Sequence, residues 1–251
     1  INNGGLTPEG QDAVNEVTYL ILEVIDEMRL LQPSTNIQLS QKSPNRFLRR
    51  ACEIIRKGWG QPSVFNTDLV IAELLRQGKS IQDAREGGTS GCVETGAFGK
   101  EAYILSGYFN LPKILELTLH DGMDARTGKQ LGPETGGCDQ LSSFDQLMSL
   151  FRQQLHHFIE IKVRGNNVIE RLYARYMPAP FLSLLVDDCI ARGLDYHDGG
   201  ARYNTTYIQG VGIGTITDSL SAIKRHVFDE KQIGMGELLA ALGADFAGHE
   251  R

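Results

Sequence analysis

The chain has 251 residues, 28 of them glycine, with 41% hydrophobic and 22% charged residues and a formal net charge of −6 at pH 7. A disordered chain would carry fewer apolar residues, a disulfide scaffold more cysteine, and a sequence-independent nucleic-acid binder a concentrated basic face. A globular protein without a nucleic-acid partner is expected, long enough for one large core or two ordinary ones.

The first ten residues, INNGGLTPEG, lack the charged and apolar regions of a secretory signal. No apolar run approaches the roughly 18 residues of a membrane span. A cytoplasmic location with no membrane partner is the default expectation. Cys52, Cys92, Cys138 and Cys189 lie far apart without a CxxC pair, which leaves neither zinc spacing nor a redox motif. Reduced thiols and no bound metal are expected.

From about Gln11 to Leu31, Val14, Val17, Leu20, Ile21, Val24, Ile25 and Met28 recur at three- and four-residue spacing, which predicts an amphipathic helix. Asn36–Ser40 alternates and reads as a short strand. Ser43-Pro44 then reads as a cap with proline at the first helical position, opening a helix to about Gly58. Pro62–Phe65 predicts another strand, followed by a helix capped by Asn66 or Thr67 that carries Leu69, Val70, Leu74 and Leu75. Beyond a glycine-rich block near residue 90, Pro112–Leu119 reads as a helix and 121–143 as a long loop. Phe144–Tyr176 is the longest helical pattern, interrupted near Gly165-Asn-Asn167. Phe181–Ala191 reads as a helix stopped by Gly193, Tyr203–Gln209 as a strand, and Asp218–Phe228 and Gly236–Leu242 as closing helices. Cys52 and Cys189 fall within helical patterns and are expected in the core.

Short strands alternating with longer helices indicate an α/β architecture with mostly parallel pairing. The pattern does not separate a closed barrel from an open sheet. No repeat, low-complexity tract or charge block marks a boundary, so residues 1–251 read as one segment of a single domain.

The densest chemical signal is Glu86–Gly99, EGGTSGCVETGAFG, with five glycines in fourteen residues. Such a segment makes neither a stable helix nor a central strand, so it reads as a loop that turns tightly or approaches something closely. Cys92 and Glu94 are two residues apart, which on an extended backbone places both side chains on one side. Cys92 read alone is a small buried hydrophobe. A thiolate nucleophile suits the pair poorly, because a neighbouring carboxylate raises the thiol pKa. The pair suits chemistry in which sulfur exchanges a hydrogen atom and the carboxylate moves a proton.

Thr89-Ser-Gly-Cys-Val-Glu-Thr-Gly-Ala-Phe-Gly-Lys-Glu-Ala-Tyr103 resembles the cysteine loop of the glycyl radical enzymes, whose dehydratase and lyase branches carry Gly-Cys-Val-Glu. Gly107-Tyr-Phe-Asn110 and Gly200–Gly212 are most similar to the branch that dehydrates hydroxyproline. Thr95 stands where proline usually follows the motif in the choline lyase and diol dehydratase branches.

The resemblance implies an α/β fold that is part of a ten-stranded α/β barrel of the pyruvate formate-lyase-like type, built from two half-barrels. It implies Cys92 as the thiyl radical carrier at a loop tip, Glu94 as the acid/base carboxylate, and Tyr108 as a lining residue of the substrate pocket. The implied reaction removes water from trans-4-hydroxy-L-proline, after hydrogen abstraction beside the ring nitrogen, to give 1-pyrroline-5-carboxylate. It further implies a glycyl radical installed by an S-adenosylmethionine-dependent iron–sulfur activating enzyme, an anaerobic cytoplasm and a homodimer. The family keeps its radical in a C-terminal Arg-Val-x-Gly-Tyr type loop, which has no counterpart in residues 1–251. The chain therefore reads as an internal portion of a longer enzyme, lacking the N-terminal part of the barrel and the glycine-radical domain, and inactive alone. The alternatives are another branch, such as a diol dehydratase, choline lyase or decarboxylase, and a noncatalytic α/β binding scaffold.

Other motifs have simpler readings. Gly210-Val-Gly-Ile-Gly214 occupies the place of a phosphate loop, but its GxGxG spacing favours close strand-to-helix packing. His156 and His157 point about 100° apart on a helix and do not ligate jointly. Asp187-Asp188 reads as a polar helix face, and Asp195-Tyr-His-Asp-Gly-Gly200 as a loop preceding a strand.

Overall fold

A computed structural model describes residues 1–29, 31–90 and 93–249. Two compact units make up the chain: Ile1–Ile104 with Arg171–Tyr207, and Leu105–Glu170 with Ile208–Arg251.

The first unit is built on a parallel sheet of β1 (Asn2–Gly4), β2 (Asn36–Leu39) and β3 (Ser63–Asn66), with β2 in the middle. The alternation of β2 divides its side chains between two faces. Ile37 packs into an aliphatic cluster with Leu22, Phe47, Ala51 and Ile54, with Leu39 at its edge. Asn36 and Gln38 point away from that cluster yet are buried, although alternating polar residues ordinarily mark a solvated face.

Helix α1 (Glu16–Met28) begins several residues later than the apolar spacing predicts. Asn15 is extended and caps it, accepting from the Val17 and Thr18 amides at 2.9 and 3.2 Å, while the Thr18 hydroxyl accepts from the Asn15 amide. Thr18, Leu22 and Ile25 form its buried face, whereas Val17, Leu20, Val24 and Met28 are exposed. The predicted apolar stripe is therefore two stripes, and the sheet uses one of them.

Helix α2 (Asn45–Ile55) is capped by Pro44 itself, not by Ser43, whose hydroxyl instead accepts from the Ser40 amide. Its buried residues are Phe47, Ala51 and Ile54, which leaves Cys52 exposed, contrary to its predicted core position. After β3, α3 (Thr67–Arg76) is capped by the Asn66 side chain, as expected. Ser80 caps a short helix α4 (Ile81–Arg85) that the apolar pattern does not reveal.

The glycine-rich block is a hairpin, not a plain loop. Strands β4 (Gly88–Ser90) and β5 (Glu94–Gly96) pair antiparallel, with Ser90 opposite Glu94 and Thr89 opposite Thr95. Next comes β6 (Glu101–Asn110), whose mixed sequence EAYILSGYFN carries no clean alternation and yields no strand prediction. It pairs with β7 (Tyr203–Val211), and the division between the two units falls within both strands.

In the second unit, Asn110 caps α5 (Leu111–Leu119) by accepting from the Lys113 amide at 3.2 Å. Helix α6 (Phe144–Tyr176), whose residues from Arg171 on belong to the first unit, runs for 33 residues without the expected break. A Cβ at Gly165 would meet nothing, while Asn166 is buried, so tertiary packing outweighs the weak helix propensity of Gly165-Asn-Asn167. Helix α9 (Ile213–Ile223) starts at Gly212 and not near Asp218, continues as a π-helical turn, and is followed by α10 (Met235–Gly243). Leu115, Leu117, Leu147, Phe151 and Ile223 belong to the core of this unit.

The helix expected over 181–191 is split into α7 (Pro180–Leu185) and α8 (Cys189–Arg192) in the first unit. Asp188 breaks it with a φ of 76°, and Gly193 ends α8 at a φ of 63° as expected. Cys189 is buried, as predicted. Among the described residues, no helix is long and apolar enough to cross a membrane.

Candidate active site

The glycine-rich hairpin is held from both strands by buried polar side chains of its own unit. Beneath β4, Asn36 Nδ2 and Gln38 Nε2 both donate to the Thr89 carbonyl, at 3.0 and 3.3 Å, and both also reach Asn2 Oδ1. The polar half of β2 thus serves the hairpin.

On the other side, Glu94 opens β5, and its carboxylate accepts from the Val93 amide at 3.1 Å. The next residue, Thr95, offers its carbonyl to the Tyr207 hydroxyl. Gly96 follows, and a Cβ there would overlap the Tyr103 hydroxyl and the Glu101 carboxylate, so only glycine permits this approach. Ala97 donates its amide to Glu101 Oε2 at 2.8 Å. Glu101, 2% exposed, also pairs with Lys79 Nζ at 3.2 Å and accepts from the Thr205 hydroxyl. A buried charge pair of this kind needs such extra hydrogen bonds to offset its desolvation.

Tyr103 and Tyr207 stack with ring centroids 5.7 Å apart and planes 16° from parallel. Burial pushes both hydroxyls well above the usual tyrosine range, and the negative charges of Glu101 and Glu94 add to the effect. Both therefore stay neutral, and Tyr207 remains a donor.

Around this centre lies a second polar layer. Burial alone would raise the Asp83 carboxyl, but hydrogen bonds from Lys100, Tyr203 and Ser80 outweigh it and hold the group well below the usual carboxylate range. Lys100 pairs with Asp83 at 2.7 Å, and Arg202 reaches Asp83, Asp187 and Asp188. Asp187 and Asp188 are thus ligands of Arg202 at a helix break, not a polar helix face.

In the second unit, Gly107 takes a φ of 142°, and a Cβ there would fall 2.6 Å from Lys162 Nζ. Its absence lets Lys162 donate to the Ser106 carbonyl at 2.7 Å. Tyr108 follows on β6 and is 65% exposed.

Of the site residues predicted from sequence, Glu94 stands at the start of β5 in the first unit and Tyr108 on β6 in the second. Cys92 lies outside the described residues. Gly210 and Gly212 pack against Leu111 and Pro112, the close packing that the GxGxG spacing suggested. His156 is largely exposed, and His157 meets Phe158 edge to face. Asp195 accepts from the Ala179 and His197 amides and the Ser183 hydroxyl, a loop-fastening role.

Sequence reasoning missed Lys79, Asp83, Glu101, Tyr103 and Tyr207. One signal could have found part of this set. Tyr203, Thr205 and Tyr207 alternate along β7 and so share a face, and each bonds into this cluster, to Asp83, Glu101 and Thr95 respectively.

This α/β arrangement, with its gripped glycine-rich hairpin, is the fold of the glycyl radical enzymes, and this span is part of their barrel. A model of the pyruvate formate lyase-like family matches residues 1–251, and the chain belongs to that family. It is 61% identical over 250 residues to trans-4-hydroxy-L-proline dehydratase of Clostridioides difficile, covering 100% of this chain and 32% of that protein. Among solved structures it is similar to the Clostridioides difficile hydroxyproline dehydratase with substrate trans-4-hydroxy-L-proline bound. There the TM-score is 0.95 at 61% identity, over 99% of this chain and 31% of that one. A glycyl radical enzyme from Archaeoglobus fulgidus matches with a TM-score of 0.89 at 36% identity, over 99% of this chain and 32% of that one. The chain thus spans about a third of the length of the relatives it matches.

Proposed function

We propose that the protein is a carbon–oxygen lyase that removes water from trans-4-hydroxy-L-proline to give 1-pyrroline-5-carboxylate. The observation that carries this reading is the 61% identity, over the whole chain, to a dehydratase of that substrate. Residues 1–251 supply one segment of the barrel domain, and they contribute Cys92 and Glu94 to the chemistry.

Cys92, as a thiyl radical, takes a hydrogen atom from the ring carbon beside nitrogen, forming S–H and leaving the radical on carbon. The neighbouring hydroxyl then departs as water, and Glu94 handles the proton that the departure requires or releases. Return of the hydrogen atom from the Cys92 thiol completes the product and restores the thiyl. Tyr108 lines the substrate pocket. A fixed backbone suits this task, because a thiyl must meet one chosen hydrogen and no other.

The radical is stored on a glycine outside these residues and is installed by an S-adenosylmethionine-dependent iron–sulfur activating enzyme. The holoenzyme works as a homodimer in an anaerobic cytoplasm. The test uses the full-length protein, activated without oxygen and offered trans-4-hydroxyproline, choline, glycerol and propane-1,2-diol. Hydroxyproline is expected to be consumed in preference, and Cys92→Ser to abolish turnover with the fold intact. Preferential consumption of another substrate, or near-normal turnover by Cys92→Ser, would overturn the reading.

A further inference from the structure

We propose that Tyr207 and Glu101 are positioning residues that set the height of β5 and with it the place of the Glu94 carboxylate; this rests on the acid/base reading of Glu94. A three-residue strand paired with one neighbour is marginal by itself, and among the described residues β5 pairs with β4 alone. Side chains supply the second support. Tyr207 bonds the Thr95 carbonyl one residue beyond Glu94, and Glu101 bonds the Ala97 amide two residues further on. Gly96 between them lets the Tyr103 hydroxyl and the Glu101 carboxylate approach the backbone directly.

The supports are themselves fixed. The ring of Tyr207 stacks on Tyr103, and Glu101 is pinned by Lys79 and Thr205. Neither Tyr207 nor Glu101 need touch substrate: their effect passes through the backbone on either side of Gly96. A small displacement of a reacting group is costly in rate, about a hundredfold for 1 Å, so loss of one support should show in turnover before it shows in folding.

Tyr207→Phe in the full-length, anaerobically activated enzyme keeps the stacked ring and deletes the donor. We expect kcat to fall about tenfold, with KM within about twofold of the parent and glycyl radical content unchanged by electron paramagnetic resonance. A parental kcat would overturn the proposal. Glu101→Gln and Glu101→Ala both leave the buried Lys79 without its counter-charge, but only Glu101→Gln keeps an acceptor for the Ala97 amide. Per folded molecule it should therefore retain turnover that Glu101→Ala loses, and equal losses per folded molecule would count against the role. If Glu101→Ala does not fold, Tyr207→Phe still gives the answer. An enzyme idle on hydroxyproline would sink the substrate reading alone. Amide hydrogen exchange of residues 94–98 in the unactivated full-length protein then reads the positioning role directly. Faster exchange in Tyr207→Phe supports it, and equal rates overturn it.

Discussion

Lys79 and Glu101 form an ion pair at 3.2 Å with side chains that are 3% and 0% exposed. Removing one member leaves the other charge buried without compensation, which costs about 3–5 kcal/mol, whereas replacing both by apolar groups can be nearly neutral. Lys79→Met in the full-length protein should therefore lower the denaturation midpoint sharply. The double variant Lys79→Met/Glu101→Leu should recover part of the loss, the rest remaining because the Ala97 amide and the Thr205 hydroxyl lose Glu101 as their acceptor. A single variant as stable as the parent would show that water reaches the pair.

Acid should weaken a different contact. Hydrogen bonds from Lys113 and Thr127 hold the Asp124 carboxyl down to about 2, from an ordinary value of 3.8. A carboxyl with a lower value in the folded state stabilises fully above its unfolded value, and that contribution is lost as pH falls through the folded one. Asp124→Asn should lower the denaturation midpoint at neutral pH. The gap between variant and parent should close as pH falls from 3.8 toward 2. A gap that is constant with pH would mean that the charge contributes nothing.

Two thiols should be inert. Burial pushes Cys138 up to about 11, and its sulfur donates to the Thr118 carbonyl at 3.3 Å. Burial also raises Cys189. Since the thiolate is the reactive form, neither should be alkylated by iodoacetamide at neutral pH until the protein is unfolded. Mass mapping of the modified peptides gives the result, and native-state labelling of Cys138 would contradict the burial.

Gly107 should resist replacement. Its φ of 142° and the 2.6 Å approach of Lys162 Nζ to a notional Cβ act together. Gly107→Ala should cost about 1–3 kcal/mol. In a Lys162→Ala background the steric part should disappear and the backbone part remain, so the two substitutions should be non-additive in a denaturation cycle. Strict additivity would show that the methyl group meets something else.

Much of the first unit is legible in the sequence because its signals are local. Asn66 announces α3, and Gly193 announces the end of α8 by the φ it must adopt. Glu94 is singled out by a local signal too, five glycines around a cysteine and a carboxylate, and the structure places it at the start of β5. What escapes is set by tertiary contact. The alternation of β7 is visible, but nothing in it says that Thr205 and Tyr207 meet Glu101 and Thr95, more than a hundred residues earlier in the chain. Cys52 illustrates the opposite error: its helix is amphipathic, and it falls on the other face from Phe47, Ala51 and Ile54. In α6 the weak helix propensity of Gly165-Asn-Asn167 is real, yet the long helix runs straight through it.

Strand β2 carries one further consequence. Its aliphatic side chains enter one cluster while Asn36 and Gln38 bind the Thr89 carbonyl on the opposite face. A slip of one residue in pairing would exchange the two sets, leaving Asn36 and Gln38 among hydrocarbons and Ile37 and Leu39 against an unpaired carbonyl. Most strands with one wet face are penalised on a single side by such an error. Here both sides object, so four residues guard the chain against misfolded pairings as well as stabilising the correct one.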